Sequence, residues 1–273
     1  MVEAGEVKPN DVILEIGPGK GKLTEKLLAE LSRPESGSRQ RSGGKVVAVE
    51  KDRELFEFLQ EKFAKQIKLC SLVLVHDDIL KFEIDKTPSQ PPPKWEAAPL
   101  SFGEGRGEVS YKIVANIPYN ITGAIFKKFL TAEHQPTAMV LMVQHDVVKR
   151  ITTPGPSSRR RGGKESVLSI SVKVYGEPKM LMKVPARYFS PAPKVDSAII
   201  AIKDISRRKF LQNGVDEEKF WQIVKKGFAH KRKKLASNLK DLVVVRSGLT
   251  TLGLEDKRAE DLTLEDWLNL AKN

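Results

Sequence analysis

Residues 11–21 read Asp-Val-Ile-Leu-Glu-Ile-Gly-Pro-Gly-Lys-Gly, and the predicted fold extends outward from them. Their first half is a short, apolar, β-branched run that is typical of a buried strand. Their second half is a glycine-rich turn, and leucines then recur at helical spacing through residues 22–31. A strand, a glycine turn and a helix in this order direct backbone N–H groups and a helix amino terminus toward a ligand.

Strands and helices continue to alternate along the chain. Further strands are predicted at residues 45–50, 71–75, 111–115, 138–143, 167–174 and 197–202. Helices are predicted after the capping residue Asp52, as far as Phe63, and at 121–130. Such alternation implies right-handed crossovers, so the predicted fold class is α/β with a mostly parallel, doubly wound sheet.

The pattern changes near residue 204, where we predict a domain boundary. Beyond it only helices are expected, at 216–229, 231–239 and 263–271. Residues 1–204 would form the ligand-binding domain and residues 205–273 a small all-helical C-terminal domain. Stretches rich in Gly, Pro, Ser or Arg are predicted to be exposed loops at 32–44, 86–107 and 153–164.

Composition excludes several classes of protein. A chain of 273 residues that is 40% hydrophobic and 30% charged is not disordered throughout. No apolar run approaches the roughly 18 residues needed to cross a bilayer, and the amino terminus does not resemble a secretory signal. The single cysteine, Cys70, cannot form an internal disulfide. We therefore expect a cytoplasmic protein without a membrane partner.

The positive charge is concentrated in one segment. The formal net charge is +12, and residues 203–240 contain twelve Lys or Arg against four acids. The cluster Lys231-Arg-Lys-Lys234 is the densest part and is predicted to bind RNA through backbone phosphates. A solvated helix face is the alternative interpretation of the same charges.

The glycine turn favours one kind of cofactor. Gly17, Gly19 and Gly21 lack the third glycine of a dinucleotide fingerprint, because position 22 is lysine, and no phosphate-binding Gly-Lys-Ser/Thr follows. Glu15, just before the turn, would repel a pyrophosphate but could pair with an ammonium group. Glu50, at the end of the second strand, could accept hydrogen bonds from ribose hydroxyls. Together these features describe S-adenosylmethionine better than NAD; a purely structural strand–helix turn is the alternative.

An acidic pair follows the third strand. Asp78 is the candidate to accept a hydrogen bond from the adenine amino group of the cofactor, and an ordinary turn or capping acid is the alternative.

The segment Lys112-Ile-Val-Ala-Asn-Ile-Pro-Tyr-Asn-Ile121 ends a strand at the edge where α/β sheets bind ligands. An adenine amine is a poor nucleophile, since its lone pair is delocalised into the ring. The Asn116 side-chain oxygen and the Ile117 carbonyl could accept its hydrogens, with Pro118 fixing the backbone. Tyr119 offers a face on which an extruded base can stack. A proline turn with a locally bonded asparagine is the alternative.

Three ordered motifs resemble the rRNA adenine N6,N6-dimethyltransferases, the KsgA family. They lie at residues 15–24, 116–119 and 189–197, the last reading Phe-Ser-Pro-Ala-Pro-Lys-Val-Asp-Ser, and the similarity extends from about residue 10 to 240. The resemblance implies S-adenosylmethionine-dependent dimethylation of two adjacent adenines in a loop near the 3′ end of small-subunit rRNA. It also implies that Asn116 and Tyr119 hold the target base, that Asn116 lies against the cofactor, and that Phe189 stacks on the flipped adenine.

Other implications complete the hypothesis. The partner would be small-subunit rRNA or the immature small subunit, the protein would be a monomer, and no metal is expected, since the four histidines lack partners at ligand spacing. A Gly-Gln-Asn-Phe-Leu-like segment usually precedes the first strand in the family and is not found here, which would weaken cofactor binding about ten- to a hundredfold. Alternatives are a large-subunit rRNA adenine methyltransferase of the macrolide-resistance type, or an RNA-binding assembly factor with weakened catalysis.

Overall fold

The computed structural model describes residues 1–33, 43–83, 110–156 and 163–272. Within them the strands are β1 Val12–Ile16, β2 Lys45–Glu50, β3 Leu72–His76, β4 Tyr111–Asn116, β5 Ala138–Gln144, β6 Glu177–Val184 and β7 Ser197–Lys203. The helices of the first half are α1 Lys22–Leu31, α2 Arg53–Lys62, α3 Ala64–Lys68 and α4 Thr122–Leu130. Those of the second half are α5 His145–Thr152, α6 Val167–Tyr175, α7 Arg208–Asn213, α8 Glu217–Gly227, α9 Leu235–Asn238, α10 Val243–Thr251 and α11 Leu264–Lys272.

The strands form one sheet in the order β3-β2-β1-β4-β5-β7-β6. The pairs β1–β2, β2–β3, β1–β4 and β4–β5 are all parallel. The chain therefore builds outward from β1 in both directions, and the order reverses between β1 and β4. In open sheets of this kind ligands bind at that switch point, beyond the carboxyl ends of the strands. The predicted doubly wound α/β fold is confirmed.

Packing divides the chain into two compact units. The first contains Met1–Val143 with Ile199–Ala201, and the second contains Gln144–Ala198 with Ile202–Asn273. The first has its core on the sheet, where Ile13, Val46 and Ile113 are fully buried because parallel strands are covered on both faces. The assignment of different roles to residues 1–204 and 205–273 stays a prediction.

Aromatic side chains form much of the core of the second unit. Phe220 packs edge-on against Trp221, and Trp221 stacks on Tyr175 and donates to its hydroxyl at 3.0 Å. Trp267 is fully buried and stacks on Phe228. These contacts fix the C-terminal helices, which are the regular structure found among the described residues after Lys203.

One predicted strand is wrong. Residues 167–174 form most of helix α6, because Ser166 and Ser169 make a reciprocal capping box at its start. An apolar run of eight residues does not distinguish a buried strand from a buried helix. Strand β6, at the edge of the sheet, was not predicted. It contains Pro178, and proline is tolerated in edge strands.

Two further predictions concern the C-terminal part. Helices near 216–229 and 263–271 are confirmed as α8 and α11, whereas of 231–239 only Leu235–Asn238 is helical. The basic residues before Leu235 lie in a turn instead. Helices α3, α5, α7 and α10 were not predicted.

Parts of the predicted loops lie outside the described residues. These are 34–42, the whole of 86–107, and 157–162 with the arginines at 159–161. In the part of the chain that is described, no helix has the length and apolar character needed to span a membrane.

Candidate active site

The β1–α1 turn is built on three glycines in the left-handed region. Gly17, Gly19 and Gly21 have φ values of 62°, 58° and 76°, which L side chains rarely adopt. At Gly17 and Gly19 an added Cβ would meet no atom of the described residues within 4 Å, so these residues leave the space beside the turn open. At Gly21 it would lie 2.5 Å from Phe63, so this glycine is required for packing the start of α1.

Glu15 is a buried acid at the end of β1, with only 1% of its surface exposed. Its Oε2 accepts a hydrogen bond from the Thr24 hydroxyl at 2.7 Å, and its Oε1 has no partner among the described residues. Burial is the main cause that raises the pKa of Glu15 to about 7; the hydrogen bonds of Thr24 oppose this shift, and the nearby Glu50 carboxylate adds to it. A cationic group at Oε1 would satisfy both the open acceptor and the charge.

Glu50 joins the end of β2 to the glycine turn. Its Oε2 accepts from the Gly19 backbone N–H at 3.1 Å, and its Oε1 accepts from the Asp52 N–H at 3.0 Å. A carboxylate has about four acceptor positions, so two remain for other donors. Asp52 in turn caps α2 through Leu55, as its sequence position predicted.

Asp78 lies after β3 and is already engaged. Its Oδ2 is 2.9 Å from Lys51 Nζ, and its Oδ1 accepts from the Leu80 N–H at 3.0 Å. The bond from Leu80, followed by that from Lys51, lowers the pKa of Asp78. Asp77 connects this turn to β2, because its N–H donates to the Glu50 carbonyl at 3.1 Å. The acid is therefore fixed near the end of β2 and remains ionised.

The end of β4 presents the Asn-Ile-Pro-Tyr segment. Asn116, the last residue of the strand, is exposed, whereas Ile117 is only 2% exposed and anchors the turn. Pro118 has φ −59° and ψ 135°, and a 3₁₀ turn from Tyr119 leads directly into α4. Because β4 is parallel to β1, Asn116 lies at the same edge of the sheet as the glycine turn.

Phe189 belongs to the second unit, in the segment between β6 and β7. It is half-buried, and its neighbour Tyr188 is 68% exposed. Asp196 fixes this segment at three points: its carboxylate binds Lys183 at 2.7 Å and the Ala186 N–H at 3.0 Å, and its carbonyl accepts from the His145 N–H at 2.9 Å.

The basic cluster Lys231–Lys234 is exposed along its whole length. The turn that carries it is fixed from below by Asn238, whose side-chain amide donates to the carbonyls of Gly227 at 2.6 Å and His230 at 3.1 Å. Lys234 is also 2.7 Å from Asp256. The cluster thus forms a basic turn rather than the helix that was predicted.

The structure brings Glu15, the glycine turn, Glu50, Asp78 and the end of β4 to one edge of the sheet in the first unit, as expected. Phe189 and the basic cluster belong to the second unit. Thr24, Lys51 and Asp196 were missed by the sequence reasoning. Thr24 could have been found, since it lies in the first turn of α1, directly after the glycine turn that follows Glu15. In the described ranges no three His, Cys, Asp or Glu side chains are arranged to hold a metal ion.

The strand order and the glycine turn beside two acidic strand ends define a Rossmann-like methyltransferase. The fold is similar to a dimethyladenosine transferase from Plasmodium falciparum, with a TM-score of 0.72 and 22% identity, covering 98% of this chain and 91% of that one. It is also similar to the 23S rRNA methyltransferase ErmE, with a TM-score of 0.64 and 23% identity over 99% and 93% of the two chains.

The chain belongs to the ribosomal RNA adenine dimethylase family, whose model matches residues 1–273. A relative from Dehalococcoides mccartyi strain CBDB1, named ribosomal RNA small subunit methyltransferase A, is 34% identical over 276 residues, covering 99% of this chain and 81% of the relative. The resemblance expected from the three motifs is confirmed.

Proposed function

We propose that this protein transfers methyl groups from S-adenosylmethionine to N6 of two adjacent adenines near the 3′ end of small-subunit rRNA. The observation that carries the proposal is the exposed Asn116 at the carboxyl end of β4, at the same sheet edge as the open glycine turn beside β1. The names of the family and of its curated relatives support the same reaction.

The residues at the β1–α1 turn fit the cofactor. Glu15 has a buried carboxylate oxygen that no described residue contacts by a hydrogen bond, which suits the ammonium group of the methionine end. Open space at Gly17 and Gly19 leaves room for close approach, and Glu50 retains acceptor positions for ribose hydroxyls. Asp78 is ionised and could accept from the adenine amine. When bound, the cofactor supplies an electrophilic methyl group on a sulfonium centre.

The Asn116 corner would prepare the target amine. In the first transfer the Asn116 side-chain oxygen and the Ile117 carbonyl would each accept one N6 hydrogen, which localises the nitrogen lone pair and directs it at the methyl group. In the second transfer N6 has one hydrogen left, and one of the two oxygens would accept it. Each transfer forms one N–C bond, breaks one S–C bond and releases one proton from N6. Neither amide oxygen is basic enough to keep that proton, so it passes to water. Tyr119 and Phe189 would stack on the extruded base.

Binding of the RNA as a whole would depend on the basic turn Lys231–Lys234. Lys231, Arg232 and Lys233 have exposed cationic groups suited to backbone phosphates, while Lys234 shares its charge with Asp256. Such contacts position the RNA without reading its bases.

Methyl transfer from radiolabelled S-adenosylmethionine to immature ribosomal subunits tests the proposal. We expect label on two adjacent adenines near the 3′ end of small-subunit rRNA, and none on fully methylated small subunits used as the control. Label on a single large-subunit adenine would instead indicate the macrolide-resistance type of activity. Binding of the small subunit without label would indicate an assembly factor that lacks catalysis.

A further inference from the structure

A polar groove of about 440 Å³ lies in the second unit, beside the segment that carries Phe189. Its lining residues come from the start of α5, the end of β6 and the segment before β7; they are Gln144, His145, Asp146, Lys183, Lys194, Val195 and Asp196. No role at the methyl-transfer site has been assigned to this groove. Lys194 follows Phe189 by five residues, within the same motif.

The charges in the groove leave Lys194 uncompensated. Lys183 is paired with Asp196 at 2.7 Å, so these two charges neutralise each other. The Asp146 carboxylate lies 3.8 Å from Nδ1 of the His145 ring, and because it is 88% exposed it is well solvated. In the described part of the chain Lys194 has no carboxylate within ion-pair distance. The groove thus presents one free ammonium group to a ligand.

Neighbouring donors reinforce this preference for an anion. Helix α5 begins at His145, whose N–H donates to the Asp196 carbonyl at 2.9 Å. Its N-cap residue Gln144 makes no side-chain capping bond within the described residues, so the later N–H groups of the first turn and the positive end of the helix dipole are available. The His145 ring lines the same groove and is 25% exposed. Lysine, imidazole and amide donors around a small polar space are typical of a phosphate site.

The groove is also structurally fixed. Asp196 connects β6 through Lys183, the Ala186 backbone, and the start of α5 through His145. These bonds set the position of Lys194 relative to the Phe189 segment before any ligand arrives. A preorganised contact costs less ordering entropy on binding.

We propose that this groove binds one backbone phosphate of the substrate RNA, adjacent to the base that stacks on Phe189, with Lys194 as the principal contact. The proposal rests on the proposed function. The phosphate would fix the register of the loop, so that the base next to it enters the site.

RNA in which one backbone phosphate at a time is replaced by an uncharged linkage tests the contact with Lys194. Synthetic RNA hairpins of the target loop would carry one methylphosphonate at a time at the phosphates around the two adenines, and the dissociation constant would be measured for each. For the wild-type protein we expect one position at which neutralisation weakens binding about tenfold, as for loss of a charge-assisted hydrogen bond. The Lys194→Ala protein should bind the unmodified hairpin about tenfold more weakly than the wild type. Its affinity should not fall further when the sensitive phosphate is replaced by a methylphosphonate.

Lys179→Ala is the matched control, because Lys179 is an exposed lysine on β6 outside the groove and its loss changes the net charge equally. It should retain the wild-type sensitivity at the same phosphate. The proposal is overturned if Lys194→Ala binds as tightly as Lys179→Ala, or if its sensitivity to each methylphosphonate equals that of the wild type.

Methyl transfer by the wild-type protein, measured in parallel, separates this proposal from the proposed function. If methyl transfer is normal but no phosphate contributes to binding through Lys194, the phosphate contact is refuted and the proposed function stands. A Lys194-dependent phosphate without any transfer supports the groove and contradicts the catalytic proposal. Failure of the wild-type protein to bind the hairpin overturns the groove as an RNA site.

Discussion

The backbone N–H of Gly19 donates to Oε2 of Glu50 at 3.1 Å, which joins the turn after β1 to the end of β2. The bond fixes the glycine turn to the acid that would receive the ribose. The shape of the cofactor site therefore depends on a side chain that also has a binding role.

Two substitutions of Glu50 should weaken cofactor binding to different extents. Glu50→Ala removes every acceptor and should raise the dissociation constant of S-adenosylmethionine about ten- to a hundredfold, as for loss of hydrogen bonds to a charged group. Glu50→Gln keeps one acceptor oxygen and should fall between Ala and wild type. Calorimetric titration measures both, and unchanged affinity in Glu50→Ala would remove Glu50 from the site.

Because Glu15 is harder to ionise in the folded chain, the free energy of unfolding should fall as the pH rises. Its folded-state pKa of about 7 lies above the ordinary value of 4.5, so the folded chain holds the proton more tightly. Below pH 4.5 the carboxyl is protonated in both states, and between 4.5 and 7 the unfolded chain loses its proton first. The wild-type protein should therefore lose up to about 3 kcal/mol of unfolding free energy over this range from Glu15.

The variant Glu15→Gln has no ionisable group at this position, so it should not show this decrease in unfolding free energy. Its advantage over wild type in urea unfolding should grow from pH 4.5 to pH 7 and then level off. The same variant should bind S-adenosylmethionine more weakly, because the ammonium loses its charged partner. A constant difference between the two proteins across this range would contradict the buried, unpaired state of Glu15.

Gly19→Ala separates backbone strain from loss of ligand space. The methyl group meets no atom within 4 Å in the part of the chain that is described, but φ is +58°, so we expect a stability loss of about 1 kcal/mol. Gly214→Ala is the matched control, since its φ is +61° and its added Cβ is equally unobstructed at the end of α7. Thermal unfolding should show similar losses for both, and only Gly19→Ala should lose cofactor affinity. Equal affinities would place the cofactor away from Gly19.

Asn116→Ala should abolish most of the methyl transfer while leaving cofactor affinity nearly unchanged. Asn116 is exposed, so the fold should tolerate the change, and loss of one oriented polar group at a reacting centre costs about 10²–10³ in kcat. Asn120→Ala is the control, because Asn120 is also exposed and lies four residues further on. Single-turnover transfer and cofactor titration measure the two effects. Equal losses of both in Asn116→Ala would refute its role at the target amine.

The sheet could be predicted because its strands are short β-branched runs bounded by glycine or polar residues. The prediction failed where an apolar run was capped: Ser166 and Ser169 turn residues 167–174 into a helix, and their bonds are local details that apolar periodicity does not reveal. Edge strand β6 escaped prediction because most of its residues are exposed and it lacks alternation.

The first-unit site was predicted from residue order, since parallel strands bring their carboxyl ends to one edge. The sequence could not show which hydrogen-bond or ion-pair partners each group has. The open Oε1 of Glu15 and the engagement of Asp78 by Lys51 depend on distances between segments far apart in the chain. The groove at Lys194 likewise depends on Asp196 joining three segments.

Neutralising the basic turn should change how RNA binding depends on salt. Each lysine or arginine that contacts a phosphate adds about 0.7 to the slope of log affinity against log salt on single strands. The quadruple variant Lys231→Ala, Arg232→Ala, Lys233→Ala, Lys234→Ala should therefore lower the slope by about 2 to 3. Lys234→Ala alone should have the smallest single effect, because its ammonium is shared with Asp256 at 2.7 Å.

A control variant distinguishes phosphate contacts from a general effect of net charge. Lys26, Lys65 and Lys68 are exposed lysines of α1 and α3 in the first unit, and replacing all three by alanine removes a comparable charge. That variant should keep nearly the wild-type slope, because long-range charge is screened within about 10 Å at 0.1 M salt. If both variants lower the slope equally, the basic turn contributes only to the overall field, and the phosphate contacts must lie elsewhere on the protein.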